Sequence, residues 1–590
     1  MLNARINLIN VKSKDIKMRY IKNLLYLLNK KEKKKFISII FIFIILSFLE
    51  VLGIASVIPF VTALFSPEKL EKITFLNLFA ETINKNRDII VPIFCLIFLF
   101  IFVVKNIFYI MTNKFISFFV SEYRARIAKD ILKKFLHQDF NFFMSKKQGA
   151  LFTIISSETV NFANNFLYSL MILLSEIIIL FGIFFLIIFS GQAKSFIIII
   201  PSIIIVGLII KKFNLKIKKW SHERVEIHEN LITLSQRIFV GIRDIYLSRN
   251  ADKLIENFSS FSEKQAKLDA KNLVVQLIPK ALLEISGIVI LLTIIIYFTL
   301  SGFTDDIIIS NLTFYFLVAY RAIPSYNKIL IQYQRFQYSK NSIETIKENI
   351  SLKDYRLLSV PNNEKLDFKK SINLNNISFS YEKNHPVIQN VNLEIKKGEI
   401  IGVFGESGSG KSTLLNLITL LIKQKNGEIS VDGKLLDNQF EIRKFQNLIT
   451  FTSQDTFLIE DTIKNNIIMN SERELNEVKL NQALKLSRVD IFLNQFTQGL
   501  DYIVGSHSRK ISSGQRQRIA LARAFYDTNE ILIFDEATNA LDEENEKIIF
   551  QNITKLKHQS TVIIVSHKKE NLKGCDKIFT FKNHSLLQIK

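Results

Sequence analysis

The 590-residue sequence predicts two halves of different fold class: a membrane α-helical domain of six transmembrane helices, then an α/β domain. Before about residue 345 the apolar residues come in runs long enough to cross a bilayer, and after it no run does. The second half instead carries the strand-like run Ile400-Ile401-Gly402-Val403-Phe404, which leads into Gly405-Glu406-Ser407-Gly408-Ser409-Gly410-Lys411-Ser412-Thr413. A strand, a glycine-rich turn and then a helix is the context a phosphate-binding loop requires. The expected division is a cytoplasmic N-terminal segment (1–35), a membrane domain (36–345), a linker (346–365) and the α/β domain (366–590).

Composition excludes several function classes. Apolar residues make up 48% of the chain, and the net charge is +23. Lys and Arg crowd the segments flanking the apolar runs, as in Lys31-Glu32-Lys33-Lys34-Lys35, Arg124 to Lys134 and Lys211 to Lys219. That is the positive-inside pattern of a membrane protein, and it favours anionic lipid head groups. No module with aromatics interleaved among basic residues is visible, so nucleic acid is not an expected partner. Cys95 lies in an apolar run and Cys575 near the C-terminus, settings that suit neither a disulfide framework nor a metal site. No apolar core followed by a small-residue cleavage site marks a removable signal peptide.

Six spans are expected near Phe36–Leu64, Ile89–Met111, Phe166–Phe189, Ser195–Ile210, Ala281–Leu300 and Ile307–Leu330. The stretch after the first span mixes Glu68, Lys69, Glu71, Lys72, Glu81 and Lys85, and that after the fifth carries Asp305 and Asp306. These near-neutral or acidic loops read as external. The N-terminus and the 113–165 and 211–280 segments are basic and read as cytoplasmic. Counting crossings leaves the C-terminal half inside. The two long cytoplasmic segments have helical periodicity, with Ile127, Ile131, Leu132 and Phe135 on one face. They are read as spans continuing past the membrane, with turns near Asp139–Phe143 and Gly241–Asp244 that either dock on the α/β domain or are decoration.

Glu50, Lys105, Glu176, Glu284 and Arg321 lie inside the spans, where charge is expensive and faces a water-filled path or a partner. Lys105 lies roughly 24 Å and Arg321 roughly 21 Å from the outer face at 1.5 Å per residue. Lys280 opens the fifth span from the cytoplasmic side. All three cations then fall in the inner half of the membrane, where they suit an anionic head group. The competing reading is internal pairing: Lys280 with Glu284 at i,i+4, and Arg321 with Glu50 or Glu176. Pro324 is expected to bend its helix.

In the second half, glycines let backbone N–H groups turn toward phosphates, and the helix N-terminus adds partial positive charge. Lys411 reaches those phosphates and the Ser412 hydroxyl holds Mg²⁺. Ile531-Leu532-Ile533-Phe534-Asp535-Glu536 reads as a buried strand ending in two carboxylates. Asp535 is placed to bind Mg²⁺ and Glu536 to polarise an attacking water. Tyr381, ending the alternating run Ile377-Ser378-Phe379-Ser380-Tyr381, is placed to stack on an adenine.

Between loop and acidic strand lies Ile511-Ser512-Ser513-Gly514-Gln515-Arg516-Gln517, followed by a helix. With it the second half resembles the ATP-binding cassette family, whose signature is usually Leu-Ser-Gly-Gly-Gln. The resemblance covers about 220 residues and implies ATP and Mg²⁺ as cofactors. It implies head-to-tail dimerisation, in which Ser512, Ser513, Gly514 and Gln515 of one copy cap the γ-phosphate held by the other. It makes Gln454 the glutamine that senses Mg²⁺, Asn539-Ala540-Leu541-Asp542 the loop crossing the dimer, and His567 the switch histidine. Departures are Ser513 for a glycine, Asn539 for a serine, and Val504-Gly505-Ser506-His507-Ser508 without the glutamate many exporters carry there.

One membrane half with one cassette resembles an exporter-type half-transporter, which implies a homodimer. Ser47-Phe48-Leu49-Glu50-Val51-Leu52-Gly53-Ile54-Ala55-Ser56-Val57-Ile58-Pro59-Phe60 and Ala319-Tyr320-Arg321-Ala322-Ile323-Pro324-Ser325-Tyr326-Asn327-Lys328 look like the bacterial lipid-linked oligosaccharide flippases. That resemblance implies the bacterial inner membrane as location and a lipid-linked glycan as cargo. It assigns Lys105, Lys280 and Arg321 to the pyrophosphate, and Ile73–Ile83 to a short external helix. Two alternatives stay open: an exporter of another lipid, peptide or drug, and an ATP-gated channel or regulator.

Overall fold

The computed structural model describes residues 22–56, 87–189, 219–300, 305–355, 366–381, 385–406, 408–469, 475–505, 511–527 and 529–590. The fourth expected span, the Ile73–Ile83 helix, Ser407 and Ser506 to Ser508 lie outside them. The chain forms two compact units, Met1–Phe135 with Ser145–Lys353, and Leu136–Met144 with Asp354–Lys590.

The first unit is helical. Its long helices are α1 (Lys30–Ala55), α2 (Arg87–Leu136), α3 (Tyr168–Phe189), α4 (Ala251–Leu300) and α5 (Asp305–Tyr338). Among the described residues four stretches are long and apolar enough to cross a membrane: Lys30–Ala55, Cys95–Leu136, Gln148–Phe189 and Ala251–Thr293. The sixth expected span falls inside α5, with Pro324 in the helix interior. At 50 residues each, α2 and α4 are about 75 Å long, more than twice a hydrocarbon core of about 30 Å. They therefore continue well past the membrane, as their periodicity predicts.

Helix starts follow local chemistry. Asn29 caps α1 by accepting from the Glu32 N–H at 2.8 Å, while the Glu32 carboxylate accepts from the Asn29 N–H at 2.9 Å. This reciprocal box satisfies two orphan donors. On the extended part of α2, Ile127, Ile131 and Phe135 are buried as expected. Leu132 is 46% exposed: the buried stripe runs at i, i+4 and i+8, and Leu132 falls off its edge.

α1 and α3 approach closely because small residues face each other. The Ser47 hydroxyl donates to the Ile178 carbonyl at 3.0 Å. A Cβ on Gly182 would meet Ser47 Oγ at 2.6 Å and a Val51 methyl at 2.8 Å. Small residues at a helix–helix contact are how spans pack without a hydrophobic driving force.

The second unit holds two principal sheets. The antiparallel one has the order β2-β1-β4-β5, from β1 (Ser371–Phe379), β2 (Ile388–Lys396), β4 (Asn426–Val431) and β5 (Lys434–Leu435). The other contains β3 (Ile400–Phe404), β6 (Ile449–Thr452), β7 (Ile531–Asp535), β8 (Thr561–Ser566), β9 (Lys577–Lys582) and β10 (Ser585–Gln588). Its order is β10-β9-β3-β8-β7-β6, parallel except for β10. Every residue of β7 and β8 is buried, which explains their continuous apolar runs. Leu136–Met144 also belongs to this unit: the Tyr355 N–H donates to the His137 carbonyl at 2.9 Å. Phe140 packs against the cassette core, as the docking reading of the first turn expects.

The α1–α3 contact yields a first prediction. Gly182→Val should lower the melting midpoint of the detergent-purified protein by the equivalent of about 1–3 kcal/mol, the cost of overpacking. An unchanged midpoint would show that the two helices are not held at this separation.

Candidate functional site

The loop after β3 is built to meet an anion. Gly408 and Gly410 have φ of 81° and 109°, a region open mainly to glycine. They turn the chain so that helix α6 (Lys411–Ile418) starts directly at the loop. The buried Ser409 hydroxyl has no hydrogen-bond partner among the described residues. Lys411 is 6% exposed and folds back, donating to the Gly405 and Glu406 carbonyls at 2.9 Å each. A buried ammonium over a helix N-terminus with an unsatisfied hydroxyl is a cradle that fits phosphate.

The cation side of the site is equally formed. Ser412 Oγ donates to Asp535 Oδ2 at 3.3 Å, so the hydroxyl and carboxylate converge as a Mg²⁺ pair requires. Burial pushes the Asp535 carboxyl above its ordinary value and neighbouring Glu536 adds to this, against the Ser412 hydrogen bond and the Lys411 charge. A raised value means that this group's contribution to stability is lost as pH rises through its folded-state pKa. Ionising the carboxylate therefore costs stability, which a divalent cation restores.

Glu536 follows β7 with φ of 49°, an uncommon conformation for a residue with a Cβ. Its N–H donates to the Val565 carbonyl at 3.1 Å, and its carbonyl accepts from the Asn539 N–H at 3.3 Å. These bonds hold the carboxylate between three groups. Asn539 Nδ2 donates to Oε2 at 2.7 Å. Lys411 Nζ lies 3.6 Å from Oε1, and His567 Nδ1 lies 3.9 Å from Oε2. Lys411, Ser412, Asp535, Glu536 and His567, chosen from sequence, thus meet in one place. Asn539 reads in the sequence as the start of the loop crossing the dimer and as a departure from the family serine; its contact with Glu536 was not foreseen, because it depends on the turn that Glu536 itself makes.

Other expected residues are placed around this centre. The half-exposed Tyr381 ring stands edge-on to Phe379, and its hydroxyl lies 3.3 Å from Thr413 Oγ1. Gln454 is exposed in the loop after β6. Ser512 and Gln515 form a capping box on helix α7 (Ser513–Asp527). Gln515 Oε1 accepts from the Ser512 N–H at 2.9 Å, and Ser512 Oγ from the Gln515 N–H at 3.2 Å. Ser512 and Ser513 are exposed at the start of that helix, and none of their described hydrogen bonds reaches the phosphate loop of the same copy. A Cβ on Gly514 would meet the Ala540 carbonyl at 2.9 Å. The Ala540 N–H donates to Gln517 Oε1 at 2.9 Å, which ties the Asn539–Asp542 loop to the signature helix.

In the membrane unit, buried Glu50 takes two cations, Lys105 Nζ at 3.2 Å and Arg321 Nε at 2.9 Å. Buried Glu176 faces Arg321 Nη1 at 3.7 Å and Lys328 Nζ at 2.9 Å. Arg321 Nη1 also donates to Ser325 Oγ at 2.6 Å. Among the described residues three cations therefore share two carboxylates, leaving one positive charge in excess. Both pairings foreseen for Arg321 occur. Lys280 does not join: it pairs with Glu284 at 3.9 Å on an exposed helix face. Lys328 was missed, although it stands seven residues after Arg321 and hence on the same face.

A helical membrane unit joined to a phosphate-loop α/β unit defines a membrane protein with an attached nucleotide-binding engine. The chain belongs to the ABC transporter family: residues 35–320 match its transmembrane region and residues 388–539 its ABC transporter domain. It is 28% identical over 512 residues to ATP-dependent lipid A-core flippase 2 of Colwellia psychrerythraea, covering 83% of this chain and 85% of that one. It is 25% identical over 467 residues to the ATP-dependent lipid A-core flippase of Aliivibrio fischeri, covering 78% and 79%. A solved bacterial Atm1-family ABC exporter with ATP bound superposes with a TM-score of 0.77 over 95% of both chains at 17% identity. The fold is that of an ABC exporter, and the cassette is an ATP-binding domain.

Two predictions follow from this geometry. Asp535→Asn should melt higher than the wild type without nucleotide, and should lose the extra stabilisation that Mg²⁺ adds to ATP; a lower midpoint would contradict the strain assigned to this carboxylate. Asn539→Ser removes a donor from Glu536, a bond to charge worth about 1.5–3 kcal/mol. It should raise ATP turnover up to about tenfold at unchanged KM. Slower turnover would make Asn539 a support for Glu536 rather than a restraint.

Proposed function

We propose that this chain is an ATP-driven flippase that moves a lipid-linked oligosaccharide outward across a bacterial inner membrane as a homodimer. The observation that carries the cargo assignment is the excess positive charge held by Lys105, Arg321 and Lys328 over Glu50 and Glu176. An uncompensated cation inside a membrane domain is costly unless an anionic ligand uses it. A diphosphate supplies that anion, and the lipid A-core flippases among the relatives carry glycolipids by name.

In this reading the phosphate loop and Lys411 hold the β- and γ-phosphates, and Tyr381 stacks on the adenine. Ser412, Asp535 and Gln454 attend Mg²⁺, which neutralises phosphate charge. Glu536 accepts the proton of the attacking water, and His567 contacts the γ-phosphate. Ser512 and Ser513, which are exposed, cap with Gly514 and Gln515 the γ-phosphate bound by the other copy. ATP then favours the closed pair through its unequal affinity for open and closed cassettes. Hydrolysis removes that bias, and the segment around Phe140 carries the motion to the spans.

Proteoliposomes with polyprenyl diphosphate oligosaccharides test the proposal. Outward transport should require ATP and stop in Glu536→Gln. Lys105→Gln and Arg321→Gln should each raise the half-saturating cargo concentration about tenfold, near 1.4 kcal/mol, with ATP affinity retained. Conduction by the ATP-bound Glu536→Gln protein would identify a channel instead, and stimulation only by peptides or drugs would replace the cargo.

A further inference from the structure

A second polar region of the membrane unit has no part in the ionic cluster. α5 carries Arg321, Ser325, Lys328, Gln332 and Arg335 at alternating spacings of four and three, which places them on one helix face. α4 carries Gln265, Asp269, Asn272 and Gln276 at the same spacing. The two stripes meet where Arg335 Nε donates to Gln276 Oε1 at 3.2 Å. There they line a cavity of about 620 Å³, within the size range of ligand sites. Arg335 stands 14 residues beyond Arg321, roughly 21 Å along the helix.

The remaining wall is unusual backbone. Ile154–Glu158 and Phe162–Leu167 are π-helical, a rare form found mostly at functional positions. These turns and their junction bring Ser157, Asn161 and Asn165 to the cavity. His228 Nε2 lies 2.7 Å from Ser157 Oγ. The charged groups are matched. Arg224 Nη2 donates to Glu158 Oε1 at 3.2 Å, and Ser342 donates to Glu158 Oε2 at 2.6 Å. Arg335 and Asp269 both line the cavity, one charge of each sign. Burial pushes the Tyr338 phenol up to about 12, so it remains a neutral hydroxyl.

What stays unsatisfied is polar but not an excess of charge. Arg224 is 8% exposed, yet its Nε has no hydrogen-bond partner among the described residues; the buried Gln265 Oε1 and Asn272 Oδ1 atoms likewise have none among them. Buried polar atoms left in this way lose their water without a replacement partner, which a ligand can supply. Amides present a donor and an acceptor side by side, which matches the vicinal hydroxyls of a sugar. A phosphate would find no net positive charge here.

We propose that this cavity, in the part of α4 and α5 assigned above to the cytoplasmic side, binds the glycan head of a glycolipid while the charge cluster around Arg321 holds its phosphate. The proposal rests on the flippase reading for the direction of transport. The glycan chemistry is shared by polyprenyl diphosphate oligosaccharides and by lipid A bearing core sugars, so the test carries both. Nanodisc-reconstituted protein is titrated with undecaprenyl diphosphate, with the same carrier bearing a neutral N-acetylhexosamine oligosaccharide, and with lipid A bearing its core; ATP turnover is the readout. At least one glycosylated probe should half-saturate the wild type about tenfold below the bare carrier. Asn272→Leu and Gln265→Leu should erase that advantage, while Asn272→Ser and Gln265→Asn, which keep hydrogen-bonding groups, should retain part of it. Thermal stabilisation by ATP shows that each variant is folded. A response to the lipid A probe alone keeps the cavity's role and replaces the carrier proposed above. Leucine variants that keep the full advantage overturn the cavity while leaving the flippase reading in place. A wild type that gains nothing from either glycan overturns the cavity outright.

Discussion

A carboxylate buried among membrane helices must be paired, and Glu50 meets that requirement with two cations from two other helices. Glu176 extends the network to a fourth helix through Arg321 and Lys328. Breaking such a buried pair leaves an uncompensated charge at a cost of about 3–5 kcal/mol. α1, α2, α3 and α5 are therefore tied at one level, and the close Ser47–Gly182 approach packs α1 on α3 beside it. One ionic network thus joins four helices of this exporter's membrane domain.

The cassette applies a different constraint to the same end. Its parallel strands deliver Lys411, Ser412, Asp535, Glu536 and His567 to the carboxyl ends of β3, β7 and β8, where open α/β sheets place their ligands. The strained turn at Glu536 and the Asn539 donor fix the carboxylate before any nucleotide arrives. Because Asn539 leads the loop that is hydrogen-bonded to the signature helix through Ala540 and Gln517, movement of that helix changes the hold on Glu536. In the proposed homodimer this links turnover to the pairing of two cassettes through covalent neighbours rather than through a distant signal.

Much of this was legible in the chain. The phosphate loop and the acidic strand each combine a period with a glycine or a carboxylate at a position that chemistry dictates, so their residues converge as read. The membrane charges were legible as a set, but only partly as pairs. Glu50 lies 14 residues after Phe36, about 21 Å from the cytoplasmic side, while Lys105 lies about 24 Å from the opposite face. In a core of about 30 Å these depths would part them by about 15 Å, yet they touch. An apolar run reports that a helix crosses, not where along it the lipid begins. Asn539 and the cavity beside α4 and α5 escaped for a related reason: one depends on a positive-φ turn, the other on π-helical segments, and neither has a sequence signature.

The central claim is that each ATP is held between the phosphate loop of one copy and the signature of the other. Mixing Lys411→Ala chains with Gly514→Asp chains tests this directly. Neither variant alone has a complete site, but a mixed pair unites the intact loop of the second with the intact signature of the first. Phosphate release by co-reconstituted protein should exceed that of either variant alone. Release no greater than the average of the two would place the whole site within one chain and contradict the shared seam.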